Sequence, residues 1–183
     1  MMITNPTYWT WNKEIPESVC DAIIAEGKKM QSESAIVGHG AGDGLVNTEL
    51  RDSKVAWFPA SSWVGAITWH YMFKANEQAW NFNITHQENP QFTIYEPDQF
   101  YDYHCDESVI RDGQRKLSLV ITITDPKDYT GGEFDFEGVE EKPDIAARGS
   151  IIVFPSHLRH RANKVISGTR YSLVNWFTGP SFK

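Results

Sequence analysis

An α+β fold, mainly β, with helices in the first half and an antiparallel sandwich or jelly roll in the second, is predicted by this 183-residue sequence. Three observations carry the prediction. Two stretches before residue 81 place apolar residues at helical spacing. From Gln91 onward, short runs rich in β-branched and aromatic residues are separated by Gly, Pro and Asp turns. A hydrophobic content of 40%, with seven Trp, seven Tyr and ten Phe, suffices for one sizeable core. A single domain is therefore expected, with helical support over about 1–90 and a jelly-roll core over about 91–180, the helices packing on the sheet.

The first helix is predicted from Pro16 to about Lys29, with Val19, Ile23 and Ile24 on one face and Pro16 in the first turn, where its missing N–H costs nothing. A second is predicted from about Ser61 to Trp80, where Trp63, Ile67 and Tyr71 form one ridge and Ala66, His70 and Phe73 its neighbour. Gly38, Gly40, Gly42 and Gly44 lie between them. No strand leads into this run and no helix starts directly after it, so the setting of a phosphate-binding loop is missing and a mobile loop is predicted. Further on, Leu117, Leu119, Ile121 and Ile123 alternate with Ser118, Val120, Thr122 and Thr124, the period of a half-buried strand that stops at Asp125-Pro126. Gly131-Gly132 turns the chain into Glu133–Phe136. Ser150–Phe154, Tyr171–Phe177, Phe92–Tyr95 and Phe100–His104 complete the strand set.

A net charge of −7 offers no basic patch for phosphate backbones, so nucleic acid is not an expected partner. Cys20 and Cys105 are the only cysteines, and the position of Cys105 between His104 and Asp106 argues against a disulfide; a reducing cytoplasm is the expected compartment. The N-terminus lacks a basic stretch followed by an apolar one, and no apolar run approaches the roughly 20 residues of a bilayer span, so neither a signal peptide nor a membrane partner is expected.

The candidate chemistry lies in Tyr101-Asp-Tyr-His-Cys-Asp-Glu107. On a strand, His104 and Asp106 project from the same face, and with one remote His they could cover one face of an octahedral ferrous ion. The spacing alone is common: six His and 24 acidic residues placed at random in 183 positions yield roughly 0.8 His-x-Asp/Glu matches. A second match, His86-Gln87-Glu88, runs into Asn89-Pro90 and reads as a turn bearing a surface histidine. His157 and His160 are the two candidates for the remote ligand. Beyond them Arg170 and Ser172, two apart, can present a guanidinium fork and a hydroxyl to one carboxylate. Tyr101 and Tyr103 could line a groove or simply pack.

Set together, Gln91-Phe-Thr-Ile-Tyr95, Tyr103-His-Cys-Asp106, Gly131-Gly-Glu-Phe134, Gly149-Ser-Ile-Ile-Val-Phe-Pro-Ser156, His160-Arg161 and Ser167-Gly-Thr-Arg-Tyr-Ser-Leu-Val174 resemble the iron(II)/2-oxoglutarate-dependent dioxygenases of the prolyl 4-hydroxylase type. The resemblance spans about Gln91 to Pro180, with weaker echoes back to Arg51. It implies a double-stranded β-helix with N-terminal helices on its major sheet. Its implied metal ligands and catalytic residues are His104, Asp106 and His160, with His157 a neighbour. It implies Arg170 as the anchor of the 2-oxoglutarate tail, Tyr95 and Ser172 as its partners, and Trp176 as a tryptophan beside the metal. The implied cofactors are Fe(II), 2-oxoglutarate and O2, with ascorbate as accessory reductant. The implied reaction is hydroxylation of a C–H bond, of a prolyl residue in a peptide or protein, with release of succinate and CO2; the loop from about Gly38 to Asn47 is a candidate lid. The same chemistry on a free amino acid or small metabolite is the alternative. A cupin-type metal enzyme would not need Arg170 and Ser172, and a non-catalytic jelly-roll binding module would be expected to have lost a ligand or the arginine.

Overall fold

Leu117, Leu119 and Ile121 do lie on one long strand, and the rest of the architecture is arranged around it. The computed structural model describes residues 6–35, 47–110, 113–140 and 142–181. Its strands are β1 (Trp9–Trp11), β2 (Glu33–Ser34), β3 (Arg51–Asp52), β4 (Lys54–Trp57), β5 (His86–Gln87), β6 (Gln91–Tyr95), β7 (Phe100–His104), β8 (Val109–Ile110), β9 (Gly113–Thr122), β10 (Tyr129–Gly131), β11 (Phe134–Phe136), β12 (Ile151–Pro155), β13 (His160–Ala162), β14 (Val165–Gly168) and β15 (Arg170–Gly179). Its helices are α1 (Glu17–Gly27) and α2 (Trp63–Ala79).

The major sheet runs β1-β12-β9-β15-β6-β4-β2, with β5 added to β15 and β8 to β9; the minor sheet runs β11-β13-β7-β3; β10 and β14 pair separately. All pairings are antiparallel. This is a double-stranded β-helix carrying two N-terminal helices. One core lies between the helices and the major sheet, where Ile23, Val64 and Met72 meet Leu117, Leu119, Ile121 and Phe177. A second lies between the sheets and joins Val120 and Ile152 to Phe134, Phe136 and Phe154. Strand β9 is consequently buried on both faces from Arg115 onward, not half-buried as its alternation suggested. Ser118 and Thr122 face the interior between the sheets, where Ser118 bonds Asp106 of the site described below and Thr122 donates to the Ile145 carbonyl at 2.8 Å.

Pro16 occupies the N-cap of α1 rather than its first turn, with φ −56° and ψ 144°. Ser62 caps α2 by accepting from the Gly65 amide at 3.2 Å. The face of α2 that packs is Val64, Gly65, Thr68, Met72, Ala75 and Ala79, whereas Trp63 and Phe73 are exposed. Small and mid-sized residues let the helix sit close to the sheet, which the aromatic ridges would not. His86 is exposed as expected, but its segment is a short strand on β15 rather than a turn. The glycine-rich run from Gly38 to Val46, and with it nearly all of the candidate lid, lies outside the described residues. Among the described residues no helix is long and apolar enough to cross a membrane.

Gly27 closes α1 against Phe92, whose ring atoms would lie 2.7 Å from an added Cβ. Gly27→Ala is therefore expected to cost about 1–2 kcal/mol through overpacking, read as a lower urea midpoint. An unchanged midpoint would show that α1 is free to move away from β6.

Candidate active site

Strand β7 ends at His104, so Asp106 stands in the loop beyond it and not, as expected, on the same strand face. Backbone hydrogen bonds return it to the histidine. The amides of Asp106 and Glu107 both donate to the Ser156 carbonyl, at 3.0 and 2.8 Å, and the Ser118 hydroxyl donates to Asp106 Oδ2 at 2.7 Å. Cys105 points away, its thiol donating to the His157 carbonyl at 3.2 Å. His160 opens β13 directly opposite His104. Its ring is buried against Phe134, Phe136 and Phe154, with centroids 5.4, 6.4 and 4.7 Å away. His157 is exposed. Tyr101 stacks face to face on the His104 ring, centroids 3.4 Å apart and planes 9° from parallel, and Arg51 covers the tyrosine at 4.5 Å.

One ligand atom from each of His104, Asp106 and His160 can be chosen so that all lie within 4.8 Å of one another. Their hydrogen-bonding state fits a cation. Nδ1 of His104 faces the Asp102 carbonyl at 2.8 Å and Nδ1 of His160 faces the Leu158 carbonyl at 2.9 Å. A carbonyl only accepts, so each neutral ring carries its proton on Nδ1 and turns the Nε2 lone pair inward. Those lone pairs lie 3.5 and 3.4 Å from the Asp106 carboxylate. Three acceptors facing one another with no proton between them repel unless a positive charge joins them, and a borderline divalent metal suits an N,N,O set.

Burial opposes charge on both Asp106 and His160, with different outcomes. For Asp106 the desolvation penalty is outweighed by the attraction of His160 and His104 in their protonated forms and, further off, of Arg115, which hold its carboxyl well below the usual carboxylate range. For His160 desolvation wins and lowers the pKa from 6.5 to about 4. Near neutrality the site thus offers an anion and a neutral imidazole. The unfolded chain takes up a proton on His160 near pH 6.5 while the folded chain resists until about pH 4. Between those values the unfolded state holds more protons, so metal-free stability is full above pH 6.5 and falls as pH drops towards 4, by on the order of 3 kcal/mol. Urea midpoints measured across that window without metal check this; a flat profile would mean that His160 titrates normally.

A cavity of about 420 Å³ adjoins the three residues and is also lined by Tyr95, Arg170, Ser172 and Trp176. Arg170 and Ser172 share a face of β15, and Arg170 pairs across the ladder with Tyr95 on β6. The guanidinium is buried, donates to Ser172 Oγ at 3.4 Å and lies 5.6 Å from the Tyr95 ring centroid. Among the described residues no carboxylate pairs with it within ion-pair distance. Gly132, at φ +68°, lets the chain pass where a Cβ would stand 2.8 Å from Arg170 Cδ.

Sequence reasoning passed over the outer cavity, of about 790 Å³, which shares Arg51, Gln91, Tyr101, Asp106 and Trp176 with the inner one. At its wall Arg115 forms a two-pronged ion pair with Glu88, at 2.6 and 2.5 Å, and lies over the Trp176 indole at 4.1 Å. Trp57 flanks the same indole at 6.3 Å. Trp176 Nε1 is buried with no hydrogen-bond partner among the described residues. The one available sequence signal was Arg115-Lys116 at the start of a strand that is otherwise uncharged.

Residues 90–178 match the family model described as the 2OG-Fe(II) oxygenase superfamily. This segment, just under half of the chain, is similar to that family. The matched segment holds His104, Asp106, His160, Arg170, Tyr95, Ser172 and Trp176, while Arg51, Trp57 and Glu88 lie before it. A PKHD-type hydroxylase of Prochlorococcus marinus is 36% identical over 77 residues, which cover 42% of this chain and 35% of the relative. The chain thus matches little more than a third of that relative's length. In fold the chain is similar to a viral collagen prolyl hydroxylase from Paramecium Bursaria Chlorella virus-1, solved as a 2OG complex, with a TM-score of 0.70, 22% identity and coverage of 94% of this chain and 96% of that one. It is also similar to a prolyl hydroxylase from Trichoplax adhaerens, solved with a hypoxia inducible factor oxygen degradation domain peptide fragment, with a TM-score of 0.71, 16% identity and coverage of 94% and 83%. These likenesses show the double-stranded β-helix fold.

Proposed function

We propose that the chain forms a single dioxygenase domain that uses Fe(II), 2-oxoglutarate and O2 to hydroxylate a C–H bond, that of a prolyl residue in a peptide or protein, with release of succinate and CO2. The observation that carries this reading is the pairing of two incomplete sites across one cavity: three inward lone-pair donors at one end, and at the other a buried guanidinium without a carboxylate among the described residues. A metal and a dicarboxylate complete both.

His104, Asp106 and His160 would hold the iron, which when bound supplies the chemistry that couples oxidative decarboxylation of the 2-oxo acid to C–H hydroxylation. The protein's own contributions follow from the geometry. Ser118 and the Ser156 carbonyl fix Asp106, and the two backbone carbonyls fix the tautomers of His104 and His160. Arg170 and Ser172 would bind the distal carboxylate, with the Tyr95 hydroxyl as a third donor. Phe134, Phe136 and Phe154 keep water from the His160 side. Trp57 and Trp176 offer an apolar platform for a pyrrolidine ring, and Arg115, held by Glu88, offers a donor for the neighbouring peptide carbonyl. The aromatic and charged lining of the outer cavity, with Trp57, Trp176, Glu33 and Arg115, suits a chain segment over a free amino acid, and the Trichoplax structure with its peptide supports the same choice. Ascorbate would act as reductant in the assay, with no residue assigned to it.

The test is incubation with Fe(II), 2-oxoglutarate, O2 and a set of proline-containing peptides. One succinate is expected per oxygen atom gained by a prolyl residue. Oxygen gained by a free amino acid and by no peptide would move the substrate to the small-molecule class, and absence of succinate with every substrate would overturn the oxygenase reading.

A further inference from the structure

Between the ladder pairs His160–His104 and Ala162–Tyr101, β7 carries two residues, Asp102 and Tyr103, where β13 has only Arg161. A bulge of this kind removes a residue from the regular ladder and bends the strand. It falls directly beside both histidines, so backbone pairing is interrupted where their separation has to be fixed. On the opposite face of the minor sheet, side chains bridge the gap. Asp135 of β11 accepts from Tyr103 Oη at 2.8 Å, from Arg161 Nε and Nη2 at 2.9 and 3.1 Å, and from Asn163 Nδ2 at 3.0 Å, with Lys142 Nζ 3.9 Å away. Arg161 also lies over the Tyr103 ring at 4.4 Å. Tyr103 immediately precedes His104 and Arg161 immediately follows His160. Asp135 is 4% exposed, and a carboxylate so enclosed is stable only with its donors in place.

We propose that Asp135 is a positioning residue for the metal centre. From the outer face of the sheet it clamps Tyr103 and Arg161 together and thereby holds His104 and His160 at the separation that a metal requires. The proposal rests on the reading that these histidines bind metal. Outer partners of metal ligands typically contribute 10- to 100-fold in affinity, and a clamp acting through the adjacent residues belongs at the lower part of that range.

Anaerobic Co(II) titration, followed by the visible ligand-field bands, tests it on wild type, Asp135→Asn, Tyr103→Phe and a control, Ile123→Val, which loosens the core on the helical side of the major sheet. Asp135→Asn is expected to bind Co(II) roughly tenfold more weakly, with shifted bands, and Tyr103→Phe a few-fold more weakly. Ile123→Val should bind as wild type does although it melts earlier. A folded Asp135→Asn protein with wild-type affinity and bands would overturn the proposal. If that variant does not fold, Tyr103→Phe decides alone, with weaker binding in support and wild-type binding against. Failure of the wild type to bind Co(II) would instead sink the metal reading, and the clamp with it.

Discussion

Arg170→Ala is expected to weaken 2-oxoglutarate binding by about 2–5 kcal/mol, roughly 30- to several-thousand-fold, while the protein stays folded. The guanidinium is buried beside Ser172 and Tyr95, and no carboxylate among the described residues neutralises it. Its removal deprives a dicarboxylate of the cation beside Ser172 and Tyr95, at a buried position where water replaces it poorly. The same removal relieves the metal-free protein of an unneutralised buried charge, so the melting temperature without ligand should hold steady or rise. Arg170→Lys should recover part of the affinity, since it restores the charge but not the fork. Isothermal titration with 2-oxoglutarate, under anaerobic metal-loaded conditions, measures both variants; undiminished affinity in Arg170→Ala would place the tail elsewhere.

Asp106→Asn should have the larger effect on the metal, on the order of 4 kcal/mol or more, about a thousandfold in affinity. It exchanges the one anion of the triad for a neutral group of the same shape. It also supplies an amide donor that can satisfy the inward Nε2 lone pairs, which in the native site face the carboxylate at 3.5 and 3.4 Å without a proton. The metal-free variant should therefore be at least as stable as wild type. Competition with a chromogenic chelator gives the affinity and urea unfolding gives the stability. A variant that bound metal like wild type would remove Asp106 from the ligand set, and one that was much less stable without metal would mean that the carboxylate serves the fold first.

Long strands were legible because their hydrophobic period persists over several residues, as in Leu117, Leu119 and Ile121, or because Gly131-Gly132 and Asp125-Pro126 mark their ends. The strands β1 to β4 were not, since two to four residues are too few to set a period, and they exist by pairing with longer neighbours. The packing face of α2 was misjudged for a related reason. Aromatic residues occur all around that helix, and Val64, Thr68 and Met72 were selected by how closely the sheet approaches, a distance absent from the sequence. At the candidate site, the resemblance to the dioxygenase motifs pointed to His104, Asp106, His160, Arg170, Tyr95, Ser172 and Trp176, and the structure brings them to one cavity. The route differs for Asp106, which is returned to His104 by Ser156, fifty residues away in sequence, rather than by strand alternation. Arg51, Glu88 and Arg115 were missed because nothing local distinguishes them from surface charges; only the fold brings Arg51 onto Tyr101 and Glu88 onto Arg115. The Asp135 clamp was hidden likewise, being spread over β7, β11 and the β13 region.

In the proposed site one cavity would hold iron at His104, Asp106 and His160, and 2-oxoglutarate between that iron and Arg170. The most direct test is anaerobic addition of Fe(II) and then 2-oxoglutarate to the metal-free protein, watching for the visible metal-to-ligand charge-transfer band of a chelated 2-oxo acid. The band should appear in wild type, require both additions, and be lost in His160→Ala. Its absence from wild type, or its persistence unchanged in His160→Ala, would contradict the account.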